Sequence, residues 1–588
     1  MDYDVMILGG GIIGCALAYE LSKYSLNIAL IEKDYDIADD VAFINSSVVY
    51  DGVECEDDLA ANLEFNGNKL IEGIAKKFKI PFKKTGSLVI AQNDNEVFNI
   101  ENMYKKALKR GIKNIEVLTK DEVEKIEPNL NIDFKKALYS RNTASIAPFD
   151  LAISYGEIAF DNGVNFKLEE QVLEIQKLSK GYKIITNKNK FNCNIVINTT
   201  PDENFGIYSD TKRNYKKSNL NYLLIEKNSI KEFNNIVVKL GNNENIKKIL
   251  AVPTVQGNMV LAVDAYEKIN YKNTLDVSAL ILDEINEMDI NNFYQFPYYD
   301  DSIVIDDSLI DKGYIKVIIN HYGQVTMTPY IAKIVTDTIV SNIKCVLKKE
   351  FIDKRRDYYK FNELSLEERN KIINMDKRYG KIICACNKVT EGEIIDAIRR
   401  PLGARTLEGI KRRTGAAFGS CQGAYCLNKV ASILARETNK FMTDIVKDSK
   451  ILKLYLAELK NLIQFNLGGI KVLREFICNG CNKKCIISLY NSNYNTIKGN
   501  QCNLGIDYAK NYVNTTKDIF TTLVRIKGSK HNVLPVKSSE PIEKSLWIEC
   551  SKALSRLYVG YPIEIGDVIC KNILNTGVDI IAIKNINE

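Results

Sequence analysis

The chain has 588 residues, too many for one hydrophobic core, and its length predicts about three or four domains. Its 45% hydrophobic and 26% charged residues are ordinary for a globular protein. The formal net charge of +6 is small for this length and gives no indication of a nucleic-acid partner, so none is predicted. The sequence lacks a basic leader before its first apolar strand and any apolar run of membrane-spanning length, so we expect a cytoplasmic protein without an integral membrane segment.

The N-terminal segment has the pattern of a dinucleotide-binding βαβ unit. An apolar strand over 4–8 leads into the turn Gly9-Gly10-Gly11-Ile12-Ile13-Gly14, then a helix, then a second strand over 27–31 that ends at Glu32 and Lys33. In this pattern the first glycine permits a tight turn, the second lets the backbone approach a pyrophosphate, and the third allows close helix–strand packing. Glu32 is placed to bind a ribose hydroxyl. The alternative is a βαβ unit of the same shape without a ligand.

Later blocks indicate which nucleotide binds. A predicted helix over 66–79 is followed by the segments 80–91, 145–150 and 194–200. In this order the blocks resemble the FAD-dependent family that contains D-amino-acid oxidase and glycerol-3-phosphate dehydrogenase, with the anaerobic glycerol-3-phosphate dehydrogenase large subunit as the nearest likeness. The resemblance covers about residues 1–345. It implies an α/β fold with a Rossmann-like FAD-binding domain and an antiparallel-sheet substrate domain.

The resemblance also assigns residues to the cofactor and to catalysis. FAD would be held by Gly9, Gly11, Ile12, Ile13, Gly14, Glu32, Lys33, Asn45, Ser46, Val172 and Gly323. His321 falls in the loop that faces the flavin in this family, where it would act as a base or as a hydrogen-bond donor. Tyr50 stands near the position of the family's usual histidine and is the second catalytic candidate. A packing role is the alternative for both side chains.

Several positions depart from the family pattern. Asp39 and Asp40 occupy a turn that holds the flavin pyrophosphate in relatives, and 199–201 is Thr-Thr-Pro instead of an alanine–glycine turn. The substrate-side arginine is missing from 294–299, and without its charge a phosphate substrate such as glycerol 3-phosphate is less well supported. These changes favour an alternative function, a non-catalytic electron-transfer or scaffold subunit with a degenerate flavin domain.

Four cysteines mark a metal site in the middle of the chain. Cys384 and Cys386 are followed, after a gap, by Cys421 and Cys426. Between the pairs, Thr390 with Glu393 predicts a capping box at the start of a helix. Four thiolates suit either an iron–sulfur cluster or zinc, although Cys-x-Cys is tighter than the usual zinc spacing.

Residues 380–435 closely resemble the [2Fe-2S] domain of the bacterioferritin-associated ferredoxin type. The resemblance rests on the cysteine spacing, on 389–393, on 399–404 and on 411–414. It implies that Cys384, Cys386, Cys421 and Cys426 bind a [2Fe-2S] cluster. The arginines and lysines of this segment would stabilise an anionic cluster, or form a solvated basic surface.

A second set of cysteines lies near the C-terminus. Cys478, Cys481, Cys485 and Cys502 have the spacing of a tetrathiolate site, and they are similar to the N-terminal [4Fe-4S] segments of molybdopterin oxidoreductases. A second iron–sulfur cluster is favoured, and zinc remains an alternative. The segment 474–585 resembles an uncharacterised cysteine-motif domain that accompanies such dehydrogenases. Short predicted strands indicate that this domain is small and β-rich.

Five segments follow from these patterns: a flavin domain at 1–345, a helical linker at 346–379, a small helical [2Fe-2S] domain at 380–437, a second helical linker at 438–470 and a C-terminal domain at 471–588. The predicted function is that of an FAD-dependent oxidoreductase that passes electrons from a small-molecule substrate through flavin to iron–sulfur centres. The predicted partners are an electron-acceptor protein or a quinone, together with other redox subunits.

Overall fold

The computed structural model describes residues 1–38, 47–200, 205, 217–226, 233–241, 245–282, 285, 287–299, 303–343, 345–419, 421, 423–440, 445, 474–477, 486–490, 496–498, 517–527, 533–555 and 557–586. Within them the chain divides into two compact units, Met1–Lys453 and Leu454–Glu588. No helix of the described part is long and apolar enough to cross a membrane.

The helices of the described residues are α1 Ile12–Leu21, α2 Asp58–Phe78, α3 Asp94–Lys109, α4 Lys120–Ile126, α5 Pro148–Asp161, α6 Tyr271–Ser278, α7 Gln324–Asn342, α8 Leu366–Met375, α9 Glu391–Arg399, α10 Leu407–Thr414, α11 Leu427–Thr438 and α12 Trp547–Ser555. The strands of the first unit are β1 Tyr3–Leu8, β2 Ile28–Ile31, β3 Val48–Val49, β4 Phe82–Lys83, β5 Ser87–Ala91, β6 Ile115–Thr119, β7 Lys136–Ser140, β8 Ala144–Ile146, β9 Asn165–Lys167, β10 Val172–Lys177, β11 Tyr182–Thr186, β12 Lys190–Asn198, β13 Lys217–Ile225, β14 Ile236–Leu240, β15 Ile246–Pro253, β16 Met259–Ala265, β17 Ile290–Tyr299, β18 Ile303–Leu309, β19 Tyr314–Ile319, β20 Ile382–Cys384 and β21 Val389–Thr390. The strands of the second unit are β22 Arg474–Ile477, β23 Ile486–Tyr490, β24 Thr496–Lys498, β25 Lys517–Asp518, β26 Thr521–Lys527, β27 Val533–Ser538, β28 Ile542–Glu543, β29 Tyr558–Gly560, β30 Val568–Cys570 and β31 Ile580–Ala582.

A Rossmann-like sheet forms the centre of the first unit. Its strand order is β10-β11-β12-β1-β2-β9, and β12 also pairs with β19, which pairs with β18. The β1, β2, β9, β12 and β19 strands run parallel, which is the arrangement that βα crossovers impose. The helices α1, α5 and α7 pack against this sheet. Their buried apolar residues and those of the strands form one large hydrophobic core. The carboxyl ends of β1 and β2 therefore meet at the glycine turn.

A second sheet of eight strands lies beside the first, in the order β17-β13-β16-β15-β14-β5-β7-β6. Its neighbours pair antiparallel except for β14 with β5. Apolar clusters cover it, and one of them includes Tyr50 and the partly buried Tyr322. The predicted combination of a Rossmann-like domain and a largely antiparallel substrate-side sheet is confirmed.

The segment after α7 is less helical than the sequence predicts. Residues 351–360 have no helix, and α8 begins only after Ser365 and Glu368 form a capping box. The first half instead pairs its charges with the flavin domain: Asp353 contacts Lys77, and Arg356 contacts Asp161. These tertiary ion pairs override the local helical pattern.

The [2Fe-2S] domain consists of the β20–β21 hairpin and the helices α9, α10 and α11 around a small apolar core. The predicted capping box is confirmed, since the Glu393 amide donates to Thr390 and Glu393 accepts from the Thr390 amide. The second unit has a five-stranded sheet, β29-β26-β27-β31-β30, whose core includes residues of α12. The second predicted linker lies almost entirely outside the described residues.

Candidate functional site

The glycine turn has the tight geometry that its sequence predicts. Gly9 adopts a left-handed φ of 104°. A Cβ on Gly14 would lie 2.0 Å from the Gly9 carbonyl oxygen, so the first turn of α1 packs directly on the strand end. Gly11 precedes α1 in extended conformation and has no side chain to cover the helix terminus. A helix terminus of this kind, with no acidic residue in its first turn, suits a pyrophosphate.

Glu32 lies beside the turn, at the end of β2. Its carboxylate accepts the Gly10 amide at 2.6 Å and the Asp34 amide at 2.9 Å. Burial raises the pKa of Glu32 to about 7, although these two amides oppose the shift. The neighbouring Lys33 is exposed, and Val172 is buried at the start of β10. Asn45 and Ser46, like Asp39 and Asp40, lie outside the described residues.

The loop His321-Tyr322-Gly323 joins β19 to α7, and Tyr322 packs against residues of the second sheet. His321 is only 5% exposed, and its Nδ1 accepts the Gly323 amide at 3.1 Å. A nitrogen that accepts an N–H carries no proton, so neutral His321 holds its proton on Nε2. Position 323 favours glycine, because a Cβ there would lie 2.1 Å from Glu64 Oε1 and the Glu64 side chain would have to move.

Tyr50 reaches the same loop from the other side. Its ring meets Tyr322 edge to face at 4.9 Å, and Tyr322 lies 4.1 Å from the His321 ring. The backbone amide of Tyr50 donates to Thr326 Oγ1 at 3.0 Å, which ties β3 to the start of α7. The structure thus brings the two predicted catalytic residues together through Tyr322.

A buried lysine that sequence reasoning missed faces this cluster. Lys248 on β15 forms an ion pair with Glu54 at 2.7 Å, and each side chain is 11% exposed. Its ammonium lies 4.3 Å from the Tyr322 ring centre and 5.5 Å from that of Tyr50. Burial alone would lower the pKa of Lys248, but Glu54 and other anionic neighbours raise it above its ordinary value. Lys248 is therefore a cation throughout the physiological range.

Glu64 and Cys55 add a buried proton-binding pair. Cys55 Sγ donates to Glu64 Oε2 at 3.1 Å, whereas Oε1 has no hydrogen-bond partner in the described part of the chain. Burial raises the pKa of Glu64 to about 8, so this carboxyl is largely protonated at neutral pH. The sequence gives one sign of this buried carboxyl, which is that Glu64 falls on the apolar, buried side of α2.

The four cysteines of the middle segment come together as two pairs. The Sγ atoms of Cys386 and Cys421 are 3.5 Å apart, and the thiols of Cys384 and Cys426 interact with each other in the buried part of the domain. Among the described residues there is no group of three or more His, Cys, Asp or Glu side chains placed to hold a single metal ion. Two pairs match a two-iron cluster, in which each iron takes two thiolates, better than a single zinc ion.

Local hydrogen-bond donors prepare the Cys386 and Cys421 pair for a metal. The pKa of Cys421 lies below its ordinary value. Burial alone would raise this pKa, but hydrogen bonds from the Cys386 thiol and from the amides of Gly423, Tyr425 and Ala424 lower it. Burial and the neighbouring Cys384 raise the pKa of Cys426 to about 11, so this ligand would lose its proton only on metal binding.

The basic residues of this domain are not a uniform solvated surface. Arg399 is exposed on its side chain, but Arg400, Arg412 and Arg413 are buried. Arg400 lies 3.0 Å from Glu157 of α5 as an ion pair. The interpretation of these residues as a solvated basic surface is therefore wrong for three of them. Cys478, Cys481, Cys485 and Cys502 lie outside the described residues.

The fold and the two sites define the class, a flavin-dependent oxidoreductase with an iron–sulfur domain. Residues 4–338 match the FAD dependent oxidoreductase family, 382–436 match the BFD-like [2Fe-2S] binding domain, and 503–584 match a protein of unknown function, DUF1667. Since the first match covers more than half of the chain, this protein belongs to the FAD-dependent oxidoreductase family. The predicted family, the predicted FAD and [2Fe-2S] cofactors and the C-terminal resemblance are confirmed, whereas the second metal centre predicted near the C-terminus stays a prediction.

Named relatives agree with this assignment. A glycerol 3-phosphate dehydrogenase of Caloramator mitchellensis is 35% identical over 470 residues, which cover 76% of this chain and 96% of that protein. A glycerol 3-phosphate oxidase of Mycoplasma pneumoniae is 30% identical over 191 residues, or 32% of this chain and 50% of that protein. The solved structure of dithionite-reduced L-alpha-glycerophosphate oxidase from Mycoplasma pneumoniae with FAD bound has a TM-score of 0.53 at 21% identity, and covers 61% of this chain and 99% of that one. The structural match shows the fold alone.

The chain's own residues fit both cofactors. The turn has no room for side chains at positions 9 and 14, because a Cβ there would lie 2.7 Å from Thr199 Oγ1 and 2.0 Å from the Gly9 carbonyl oxygen. This tight turn, with Gly11 placing no side chain over the N-terminus of α1, is what the pyrophosphate of FAD requires. The paired thiols fit a [2Fe-2S] cluster. The protein is therefore an FAD-dependent oxidoreductase with iron–sulfur electron transfer, and the alternative of a non-catalytic subunit is not supported.

Proposed function

We propose that this protein is a dehydrogenase that oxidises a hydroxyl-bearing carbon of a small anionic molecule, with glycerol 3-phosphate as the first candidate. The observation that carries the proposal is the relative named glycerol 3-phosphate dehydrogenase, which this chain matches over 96% of that protein's length. Bound FAD supplies the ability to take two electrons from a substrate and to release them singly to a cluster.

Positive charge for such a substrate comes from β15. The strand β17 has no arginine, whereas Lys247 and Lys248 are neighbours on β15, next to the ring cluster of Tyr50, Tyr322 and Tyr298. Lys247 Nζ lies 3.3 Å from the Tyr298 hydroxyl. Because Lys248 already pairs with Glu54, we assign the direct contact with the substrate anion to Lys247. The positive charge of Lys248 would attract the anion without contacting it.

His321 and Tyr50 remain the proposed catalytic residues. Because Nδ1 of His321 accepts a backbone amide, the ring acts through Nε2 as a hydrogen-bond donor in its neutral form. This favours the donor role over the base role that the sequence left open. Tyr50 acts on the same loop through its edge-to-face contact with Tyr322.

The other assignments also belong to this proposal. Cys384, Cys386, Cys421 and Cys426 ligate the [2Fe-2S] cluster, and the FAD contacts are those predicted from the glycine turn, Glu32 and Gly323. The acceptor is a protein or a quinone on the cytoplasmic side. The exposed thiol of Cys386 supports electron exit at the domain surface.

A substrate panel tests the proposal. Anaerobically purified protein is assayed with glycerol 3-phosphate, L-2-hydroxyglutarate and glycerol, using an artificial one-electron acceptor. We expect turnover with glycerol 3-phosphate, and a loss in Lys247→Gln that appears mainly in KM because the lysine binds the anion. Lys272→Gln, on α6, is the control for loss of a surface charge. Equal turnover with glycerol, which lacks the anion, would contradict the assignment.

A further inference from the structure

The [2Fe-2S] domain meets the nucleotide-binding segment at a buried ion pair. Arg413 of α10 directs both terminal nitrogens to Asp36, with Nη1 2.7 Å from Oδ2 and Nη2 2.7 Å from Oδ1. Each of these side chains is only 3% exposed. Arg413 also donates to the carbonyls of Gly409 and Leu402, which fixes the guanidinium plane. A bidentate pair is stronger and more directional than an ordinary ion pair.

Asp36 belongs to the loop that continues from β2 beyond Glu32. The Asp34 amide donates to Glu32 Oε1, and the Ala38 amide donates to the Gly10 carbonyl at 2.9 Å, so the loop folds back on the glycine turn. Ala38 holds a left-handed φ of 62° at this point. Such a conformation costs energy for a residue with a Cβ, and it persists only where the surroundings fix it.

Close apolar packing surrounds the pair. A Cβ on Gly156 of α5 would lie 2.4 Å from Ile37 Cδ1 and 3.3 Å from Leu402 Cδ1. Leu402 comes from the [2Fe-2S] domain and packs on the core of the flavin domain. On the other side, a Cβ on Gly409 would lie 2.4 Å from Asp36 Oδ2. The loop after β2 is thus enclosed between α5 and α10.

We propose that Arg413 is a positioning residue for FAD, which acts through Asp36 to hold the loop after β2 against the glycine turn. Without Arg413, the Asp36 carboxylate would keep, among the described residues, one hydrogen bond, from the amide of Ile37 at 2.8 Å, and the electrostatic attraction of Arg405. Removing one partner of a buried, hydrogen-bonded ion pair is costly, so the loop would open to hydrate the carboxylate and Ala38 would leave the turn. The nucleotide site is complete only when the [2Fe-2S] domain is docked.

This coupling is reciprocal, because a domain that improves FAD binding is itself held more tightly when FAD is bound. The consequence for function is that FAD binds most tightly to molecules in which the [2Fe-2S] domain is docked and can accept electrons from the flavin. The inference concerns cofactor binding and does not depend on which substrate is oxidised.

FAD titration of the full-length protein, stripped of flavin, tests the inference. The dissociation constant is measured by fluorescence for the wild type, Arg413→Gln, Arg413→Lys and Asp36→Asn. Arg399→Gln is the control, since Arg399 is 58% exposed on its side chain and pairs with Glu437 inside its own domain. We expect Arg413→Gln and Asp36→Asn to weaken FAD binding at least about tenfold, within the range of ordinary allosteric couplings. Arg413→Lys should be intermediate, and the control should be unchanged.

A second readout separates positioning from general destabilisation. FAD should slow trypsin cleavage of the connector at 351–360 in the wild type, and this protection should be lost in Arg413→Gln while the cluster absorption is retained. Protection by FAD that survives in Arg413→Gln would overturn the proposal. If Arg413→Gln loses its cluster, Asp36→Asn decides alone, and an unchanged dissociation constant in that variant refutes the coupling.

Discussion

Replacing Glu157 with glutamine tests whether buried charges hold the connector and the [2Fe-2S] domain on the flavin domain. Glu157 Oε2 accepts Arg355 Nε at 2.6 Å, and Oε1 lies 3.0 Å from Arg400 Nε. All three side chains are nearly inaccessible, at 3%, 5% and 7% exposure. Glutamine preserves the volume and removes the charge.

The size of the effect follows from what the two arginines retain. Arg355 keeps Asp150 at 3.4 Å, and Arg400 keeps Asp396 at 3.1 Å. Breaking a buried ion pair costs about 3–5 kcal/mol. Because one carboxylate remains near each guanidinium, we expect the lower end, about 3 kcal/mol. That loss is a large fraction of the roughly 5–15 kcal/mol by which a typical protein is stable.

Asp357→Asn is the matched control. Asp357 lies in the same connector as Arg355 and pairs with Lys79 of the flavin domain, but both side chains are largely exposed, at 77% and 74%. An ion pair in contact with solvent contributes little to stability. Urea unfolding is followed through the visible cluster band, with hydrogen exchange of α5 and 351–360 as a local probe. Equal losses in Glu157→Gln and Asp357→Asn would refute the argument that burial makes the difference.

Three further changes have expected outcomes. Cys421→Ser should abolish the [2Fe-2S] absorption whereas Cys345→Ser should not, and an unchanged spectrum in the first would contradict the ligand assignment. Burial raises the pKa of Glu64 to about 8. The folded state therefore holds a proton that the unfolded state has released above about pH 4.5, and Glu64 lowers stability as pH rises toward 8. Glu64→Gln should flatten that part of the pH–stability curve measured by urea unfolding, and a curve parallel to the wild type would disprove the buried site. Gly323→Ala should cost about 1–3 kcal/mol through overpacking on Glu64, whereas Gly73→Ala on α2, with nothing within 4 Å, should gain up to about 1 kcal/mol. Thermal unfolding of the two alanine variants decides this, and similar melting temperatures would contradict it.

Local patterns in the sequence predicted the local parts of the site. The glycine turn, the acid at the end of β2 and the capping box of Thr390 with Glu393 depend on residues close together in the chain, and each has the predicted geometry. The cysteine spacing likewise predicted a metal centre, because paired thiols on short loops have few other uses.

Contacts between distant segments were not predictable in the same way. Lys248 pairs with Glu54, and Arg413 pairs with Asp36, across 194 and 377 positions of the chain. Nothing in the periodicity around Arg413 distinguishes it from the exposed Arg399, because its burial depends on how α10 docks on another domain. The helical pattern of the first linker fails over 351–360 for the same reason, since tertiary ion pairs set the conformation there, whereas α8 is helical as predicted.

Anaerobic reduction by substrate tests the central claim most directly. Protein with FAD and cluster bound is mixed with glycerol 3-phosphate, and the flavin absorbance and the electron paramagnetic resonance signal of the cluster are followed together. We predict loss of the flavin bands and appearance of the reduced [2Fe-2S] signal, and we predict that the cluster stays oxidised in protein from which FAD has been removed. Flavin reduction with a cluster that stays oxidised, although dithionite reduces it, would contradict electron transfer from substrate through flavin to iron–sulfur.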